Sequence, residues 1–275
     1  MKSFKGRSRS IPICLFCYHK AGTKLLTKAF SEICAANHLR FRGCSGKQTQ
    51  VPADADVILF RHSLIDVSRI SKPFVGVHIV RDPRDVIVSG YLYHRRTTEQ
   101  WCINTDFSLT PPIRRPRVPS SQEHRPREWK VSYLKSLAGK SYQENLLQIS
   151  QERGLMFEMD NHGAWTIESM MEWKYNMPNI LEITFENLMN DYDGTLRRIF
   201  AHIGFSKSAT DVGLKVAVRH DLGRKSPQEI ENMPHVSSPR TTKWRRYFSV
   251  QHKEAFLDRF GDVLVQLGYE TDNNW

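Results

Sequence analysis

Residues 11–30 read IPICLFCYHKAGTKLLTKAF, and the change of pattern inside them decides the fold. Residues 11–18 are a short apolar run of the kind a fully buried strand carries. His19-Lys20-Ala21-Gly22 interrupts it with small and polar residues. From Thr23 to Asn37 the apolar positions Leu25, Leu26, Ala29, Phe30, Ile33 and Cys34 recur at helical spacing and mark one packed face. Strand, tight loop and helix follow one another within one short segment. The unpaired N–H groups at such a helix start, together with the helix dipole, favour an oxyanion. Gly22 lets the backbone approach closely, Thr23 offers a hydroxyl, and Lys20 and Lys24 supply charge. A plain βα turn with solvated lysines is the competing reading. A nucleoside-triphosphate loop is excluded, because Gly22 is followed by Thr23-Lys24 and position 17 is Cys.

Outward from this unit the alternation repeats. Val57–Phe60 and Phe74–Val80 read as strands. Asp82-Pro83 is a good N-cap and first helical position for a helix over about 84–95. Helices are expected near 141–152, 165–175, 188–203, 210–218 and 250–267, with a fourth strand at Ile180–Thr184 and a polar loop over 222–243. Residues 96–129 break the pattern with five prolines (111, 112, 116, 119, 126) and, near them, arginines at 114, 115, 117, 125 and 127. That stretch is either a solvated loop or a lid over an acceptor. Strands alternating with helices predict one α/β domain, a central parallel sheet covered on both sides, with ligands at the strand C-terminal ends.

The composition, 40% hydrophobic and 25% charged in 275 residues, is that of a globular chain and excludes a disordered or fibrous one. No apolar run approaches the roughly 18 residues of a membrane span, and the basic start MKSFKGRSRS leads into too short an apolar stretch for a secretory signal. Five scattered cysteines (14, 17, 34, 44, 102) point to reduced thiols and a cytoplasmic protein. Cys14 and Cys17 form a CxxC that reads as strand, since no second ligand pair at metal spacing accompanies it. The net charge of +11 suits a nucleic acid, a membrane surface or a multiply anionic small ligand. The bases are spread along the chain and single out none of these.

A second segment, Arg81-Asp82-Pro83-Arg84-Asp85-Val86-Ile87-Val88-Ser89, places an arginine at a strand end and a serine eight residues on in the next helix. A guanidinium and a hydroxyl so placed could hold one phosphate, or form only a surface ion-pair cluster. Taken together and in this order, Lys20-Ala21-Gly22-Thr23 and Arg81–Ser89 resemble the sulfotransferase family that uses 3′-phosphoadenosine 5′-phosphosulfate (PAPS). Thr184-Phe185-Glu186-Asn187-Leu188 is similar to that family's strand end with an aromatic beside the adenine, and Phe185 is the match. Lys243-Trp244-Arg245-Arg246-Tyr247-Phe248 is similar to its C-terminal G-x-W-x-x-x-F stretch, and Leu267-Gly268-Tyr269-Glu270 to the tail of bacterial members.

The resemblance implies a P-loop-like three-layer α/β/α fold spanning the whole chain. Residues 11–95 would form the donor-binding core, 96–135 an acceptor lid, and 136–275 the remaining core. It implies donor binding by Lys20, Ala21, Gly22, Thr23, Lys24, Arg81, Ser89, Phe185 and Arg240. Arg240, in Ser237-Ser238-Pro239-Arg240, stands where cytosolic members carry R-K-G. Leu25 stands where they carry a loop tryptophan. Lys20 would balance the leaving-group charge. His62, in Phe60-Arg61-His62, would be the general base, with His94 and Glu99 as reserves. The implied partner is a small-molecule acceptor with a hydroxyl or amine, with no metal, nucleic acid or membrane. The readings outside this family are a kinase-like phosphotransferase and a non-catalytic nucleotide or nucleic-acid binder.

Overall fold

A computed structural model describes residues 11–110, 115–233 and 241–275. In chain order the strands are β1 (Ile13–Cys17), β2 (Phe41–Cys44), β3 (Val57–Phe60), β4 (Val75–Val80) and β5 (Ile180–Thr184). The helices are α1 (Thr23–Ala36), α2 (Pro83–His94), α3 (Arg127–Ser136), α4 (Tyr142–Leu147), α5 (Gln151–Asp160), α6 (His162–Met171), α7 (Phe185–Asn190), α8 (Tyr192–His202), α9 (Lys207–Ala217), α10 (Pro227–Glu231), α11 (Trp244–Tyr247), α12 (Val250–Phe260) and α13 (Val263–Gln266). Contacts gather the chain into two compact units. One holds the residues up to Arg81 and Glu172–Pro227, the other Asp82–Met171 and Gln228–Trp275.

The first unit contains the whole sheet, five parallel strands in the order β2-β3-β1-β4-β5. This is the expected α/β fold with a central parallel sheet. Alternate residues sort to its two faces, as the pleat requires. Ile13, Leu15 and Cys17 pack with Leu26, Phe30 and Ile33 of α1 and with Leu196, Ile199 and Phe200 of α8. Cys14 and Phe16 point the other way, onto Ile58, Phe60, Phe74 and Trp173. Phe16 and Phe60 stack with centroids 5.1 Å apart.

The sequence reading missed β2, and its chemistry explains why. Its residues, FRGC, are mostly half-exposed at the sheet edge and carry no apolar alternation. Ion pairs beside the strand add to its ladder with β3. Buried Asp56 takes the backbone N–H of Arg40 at 2.9 Å and its guanidinium at 3.0 Å, and Asp54 pairs with Arg42 at 2.6 Å.

The second unit has a core of its own, built from Ile87, Tyr91, Trp101, Tyr142, Leu155, Phe256 and their neighbours. Several expected helices are divided here and in the first unit. The one near 141–152 is α4 plus the start of α5, each begun by a serine side chain, Ser141 and Ser150. The one over 188–203 breaks at Asp191, which caps α8. The last breaks at Gly261, at φ 55°. The loop expected over 222–243 contains α10. Among the described residues no helix is long and apolar enough to cross a membrane.

The described residues of the Pro/Arg stretch are not all loop. Trp101, Cys102 and Val118 are buried in the second core, and α3 begins at Arg127. Arg117 holds the segment by pairing with Asp106 and donating to Asn104 Oδ1 at 3.3 Å. A cleft of about 350 Å³ lies among these residues, lined also by Gln100, Thr105 and Arg115.

Candidate functional site

In the first unit the parallel register brings four chain segments out at one sheet edge. Phe16 pairs with Phe60, Cys17 with Ile79, and Val80 with Thr184. Tyr18, Arg61-His62, Arg81 and Phe185 therefore leave their strands side by side, as expected for a site at the strand C-terminal ends.

The loop after β1 closes on its first carbonyl. Tyr18 O accepts the Ala21 N–H at 3.1 Å and the Thr23 hydroxyl at 2.8 Å. The Thr23 hydroxyl proton is thus spent on the loop, with Cys17 Sγ 3.3 Å from the same oxygen. Lys20 sits in the left-handed region at φ 60° and Gly22 at φ 88°. At Gly22 that conformation suits the residue, and the space demands it: an added Cβ would lie 3.1 Å from the Phe185 ring. Gly22 is also the N-cap of α1, so no side chain caps this helix, and no acid occupies its first turn. The positive end of α1 is turned toward the loop without a competing internal anion. Ala21 is buried, and Lys24 is exposed one residue into the helix.

Arg81 completes this corner. It is buried, its Nη1 donates to Lys20 O at 2.7 Å, and its guanidinium lies 4.6 Å from the centroid of Phe185. One residue thus fixes the strained loop and stacks on the aromatic at the start of α7. Lys20, Gly22, Thr23, Arg81 and Phe185 are brought together.

His62 lies half-buried in the turn after β3. Arg61 reaches across β2. A Cβ on Gly43 would fall 2.5 Å from an Arg61 nitrogen, and Arg61 Nη1 donates to Ser45 Oγ at 3.0 Å. The next residue, Ser63, is buried at φ 51° and donates its hydroxyl to Cys17 O at 3.0 Å.

Beneath the loop lies a polar group of residues that the sequence reading missed. His78, wholly buried on β4, faces Glu182 in register on β5. His78 Nδ1 makes a short contact with Glu182 Oε2, and His78 Nε2 is 2.9 Å from Tyr18 OH. Trp173 stacks on the imidazole at 4.1 Å and donates to Glu182 Oε1 at 3.2 Å. Burial lowers the His78 pKa below the ordinary histidine value, outweighing the upward pull of Glu182. A neutral ring with its proton on Nδ1 would donate to the carboxylate and accept from Tyr18 at Nε2. Burial likewise raises the Tyr18 phenol well above its usual range. Only the pairing of β4 with β5 makes this group visible, and linear sequence does not contain that pairing.

The remaining expected residues belong to the second unit. Ser89 is buried in α2. His94 ends α2 with Nδ1 2.8 Å from Glu158 Oε2, which also accepts from Tyr142 OH at 2.9 Å. Glu99 accepts from Tyr93 OH and from Trp101 Nε1, each at 2.7 Å. Both reserve bases are built into this core. Arg240 lies outside the described residues.

The same unit shows what the rest of the Arg-Asp-Pro-Arg-Asp segment does. Asp82 caps α2 by accepting the Arg84 N–H at 2.9 Å and pairs with the Arg84 guanidinium at 2.8 Å. Arg84 also pairs with Glu270 at 2.5 Å and lies 3.7 Å over Trp244 and 4.6 Å over Trp275. Asp85 Oδ1 accepts the Trp244 N–H at 3.0 Å. Arg84 and Asp85 thus anchor the C-terminal segment.

The profile of a family described as "Sulfotransferase domain" matches residues 59–268. The match begins at β3, so the loop carrying Lys20 rests on its own geometry. Among solved structures, the chain is similar to mouse sulfotransferase SULT7A1 complexed with PAP. The identity is 18% and the TM-score 0.51, over 95% of this chain and 87% of that one. At that identity the likeness speaks for the fold. No curated protein sequence matches the chain.

Proposed function

The chain belongs to the sulfotransferase family, and we propose that it moves the sulfuryl group of PAPS to a hydroxyl or amine of a small-molecule acceptor. The observation that carries this reading is the start of α1. A strained loop presents Lys20 beside a helix N-terminus that no side chain caps and that Gly22 keeps free of bulk. That corner suits the 5′-phosphosulfate, with backbone N–H groups and the helix dipole meeting its oxygens. Phe185, beside Arg81, is the aromatic that the resemblance places by the adenine. The Arg81–Ser89 segment takes the 3′-phosphate, and Arg240 adds to it by resemblance.

Sulfuryl transfer resembles phosphoryl transfer in that positioning and charge neutralisation supply most of the acceleration. Lys20 offsets the charge that grows on the leaving phosphate oxygen. His62 takes the acceptor proton as the acceptor oxygen or nitrogen bonds to sulfur in line with the breaking S–O bond. The five free, buried cysteines support a reducing, cytoplasmic setting.

The test is an acceptor screen with sulfur-labelled PAPS, using phenols, alcohols, amines and sugars. Label transfer to one class, lost in Lys20→Met and His62→Ala variants that keep the wild-type melting temperature, is the expected result. Selective binding of polynucleotide over PAP at physiological salt, with no transfer, would replace this reading with that of a nucleic-acid binder.

A further inference from the structure

His62 stands in a turn whose geometry depends on the residue after it. Ser63 donates its N–H to Phe60 O at 3.4 Å and accepts the Ile65 N–H at 2.9 Å, so the chain reverses sharply on leaving β3. It does so with Ser63 at φ 51°, a left-handed conformation that a non-glycine residue keeps only when its surroundings enforce it. The enforcing contact is the hydroxyl, which donates to Cys17 O at 3.0 Å within the buried interior.

Cys17 O is the last carbonyl of β1. The next one, Tyr18 O, receives the Thr23 hydroxyl and the Ala21 N–H, and so closes the loop that carries Lys20. Two successive carbonyls therefore each take a hydroxyl, one from the His62 turn and one from the Lys20 loop. The pivot between them is held from below by the Tyr18 phenol on His78, which is locked in turn by Glu182 and Trp173.

From this arrangement we propose that Ser63 is a positioning residue for the transfer, tying the turn that carries His62 to the pivot from which the Lys20 loop springs. The proposal rests on the reading of His62 as general base. It goes beyond that reading by assigning the distance between base and leaving-group lysine to one hydroxyl. Transfer in line is sensitive to that distance, because a misplacement of about 1 Å can cost on the order of a hundredfold in rate. Donor binding, which uses the loop, Arg81 and Phe185, does not depend on where His62 sits.

The test compares Ser63→Ala, which removes the hydroxyl, with Ser63→Gly, which also removes the backbone strain. Each variant is measured for kcat, for PAP affinity by calorimetry, and for the His62 Cε1–H signal in ¹³C-histidine NMR, assigned with His62→Ala. The expected result is a kcat loss of about tenfold or more in both, within the range that misplacement produces. PAP affinity should stay within about twofold, and the His62 signal should be shifted and broadened.

Wild-type kcat in Ser63→Ala with an unmoved His62 signal would overturn the proposal. So would recovery of kcat and signal in Ser63→Gly, which would assign the effect to strain alone. A parallel fall of kcat, PAP affinity and melting temperature would also overturn it, by showing a general structural role. Failure of the base reading is separately visible as wild-type turnover in His62→Ala, since the NMR signal reports on the tie whether or not His62 takes part in transfer.

Discussion

Two residues of the proposed donor loop make different demands. Gly22 is needed for its missing side chain: at φ 88°, with the Phe185 ring 3.1 Å from where a Cβ would be, alanine is strained twice over. Gly22→Ala should destabilise the protein by about 1–2 kcal/mol from the backbone alone. It should also weaken PAP binding, because relief requires Phe185 or the loop to move. Urea unfolding and calorimetry check both, and unchanged values in each would show that the loop relaxes freely. Lys20, in the role proposed for it, acts through its charge. Lys20→Met keeps an unbranched stem without the ammonium and should lower kcat by on the order of 10²–10³, the cost of removing one preorganised stabilising donor. PAP affinity should change far less, since that ligand lacks the transferring group. Near-normal turnover would make Lys20 a loop residue only. Cys17, between these groups and β3, is inert by comparison: burial raises its thiol to about 12. It should resist maleimide at pH 8 until the protein unfolds.

At the scale of elements, β4 and β5 are joined through His78 and Glu182 as well as by their ladder. The lowered His78 pKa has a consequence for stability. In the unfolded chain the group takes a proton near the ordinary value of about 6.5, and in the folded protein only at lower pH. Between the two, the unfolded state binds more protons, so stability rises with pH there. It is complete above the unfolded value and is lost as pH falls toward the folded one. The melting temperature should therefore drop on acidification below about pH 6.5. His78→Gln should start lower at neutral pH and drop less steeply, and parallel curves for the two proteins would remove His78 from the account. This pair also marks how far the sequence could be read. β1, β3, β4 and β5 were legible because buried strands are continuous apolar runs, and the loops after β1 and β4 because lysine, glycine and arginine at strand ends are chemically loaded. β2 was not, because the four residues FRGC at the sheet edge form no continuous apolar run. Arg84 and Asp85, inside the Arg81–Ser89 segment, grip Trp244, Trp275 and Glu270. Partners so distant in sequence carry no local signal. Ser63 escaped notice for the same reason, since its importance lies in a bond to Cys17, 46 residues away.

For the whole molecule, the excess of 40 basic over 29 acidic residues favours any polyanion, so affinity for negative charge alone does not discriminate between readings. The discriminating quantity is the difference between two nucleotides that share adenine, ribose and 5′-phosphate. A ligand bound only by the folded protein at a hundred times its Kd stabilises it by about 2.7 kcal/mol. For a chain of this size that corresponds to a rise in melting temperature of about 5–10 °C, and PAP should produce it. Adenosine 5′-phosphate lacks the phosphate assigned to the Arg81–Ser89 segment. Losing hydrogen bonds to a charged group costs about 1.5–3 kcal/mol, weakening binding by a factor of roughly 10 to 100. At the same concentration it should then stabilise by only about 0.3–1.3 kcal/mol, a shift of no more than about 5 °C. Arg81→Ala has a second effect, because Arg81 also holds Lys20 O and Phe185. Ser89→Ala is the cleaner probe, and it should narrow the gap between the two nucleotides while leaving the response to adenosine 5′-phosphate unchanged. Raising the salt should reduce both shifts without equalising them, since screening weakens charge attraction generally but does not restore a missing phosphate. Equal shifts from the two nucleotides in the wild-type protein would remove the 3′-phosphate from the Arg81–Ser89 segment and with it the assignment of PAPS as donor.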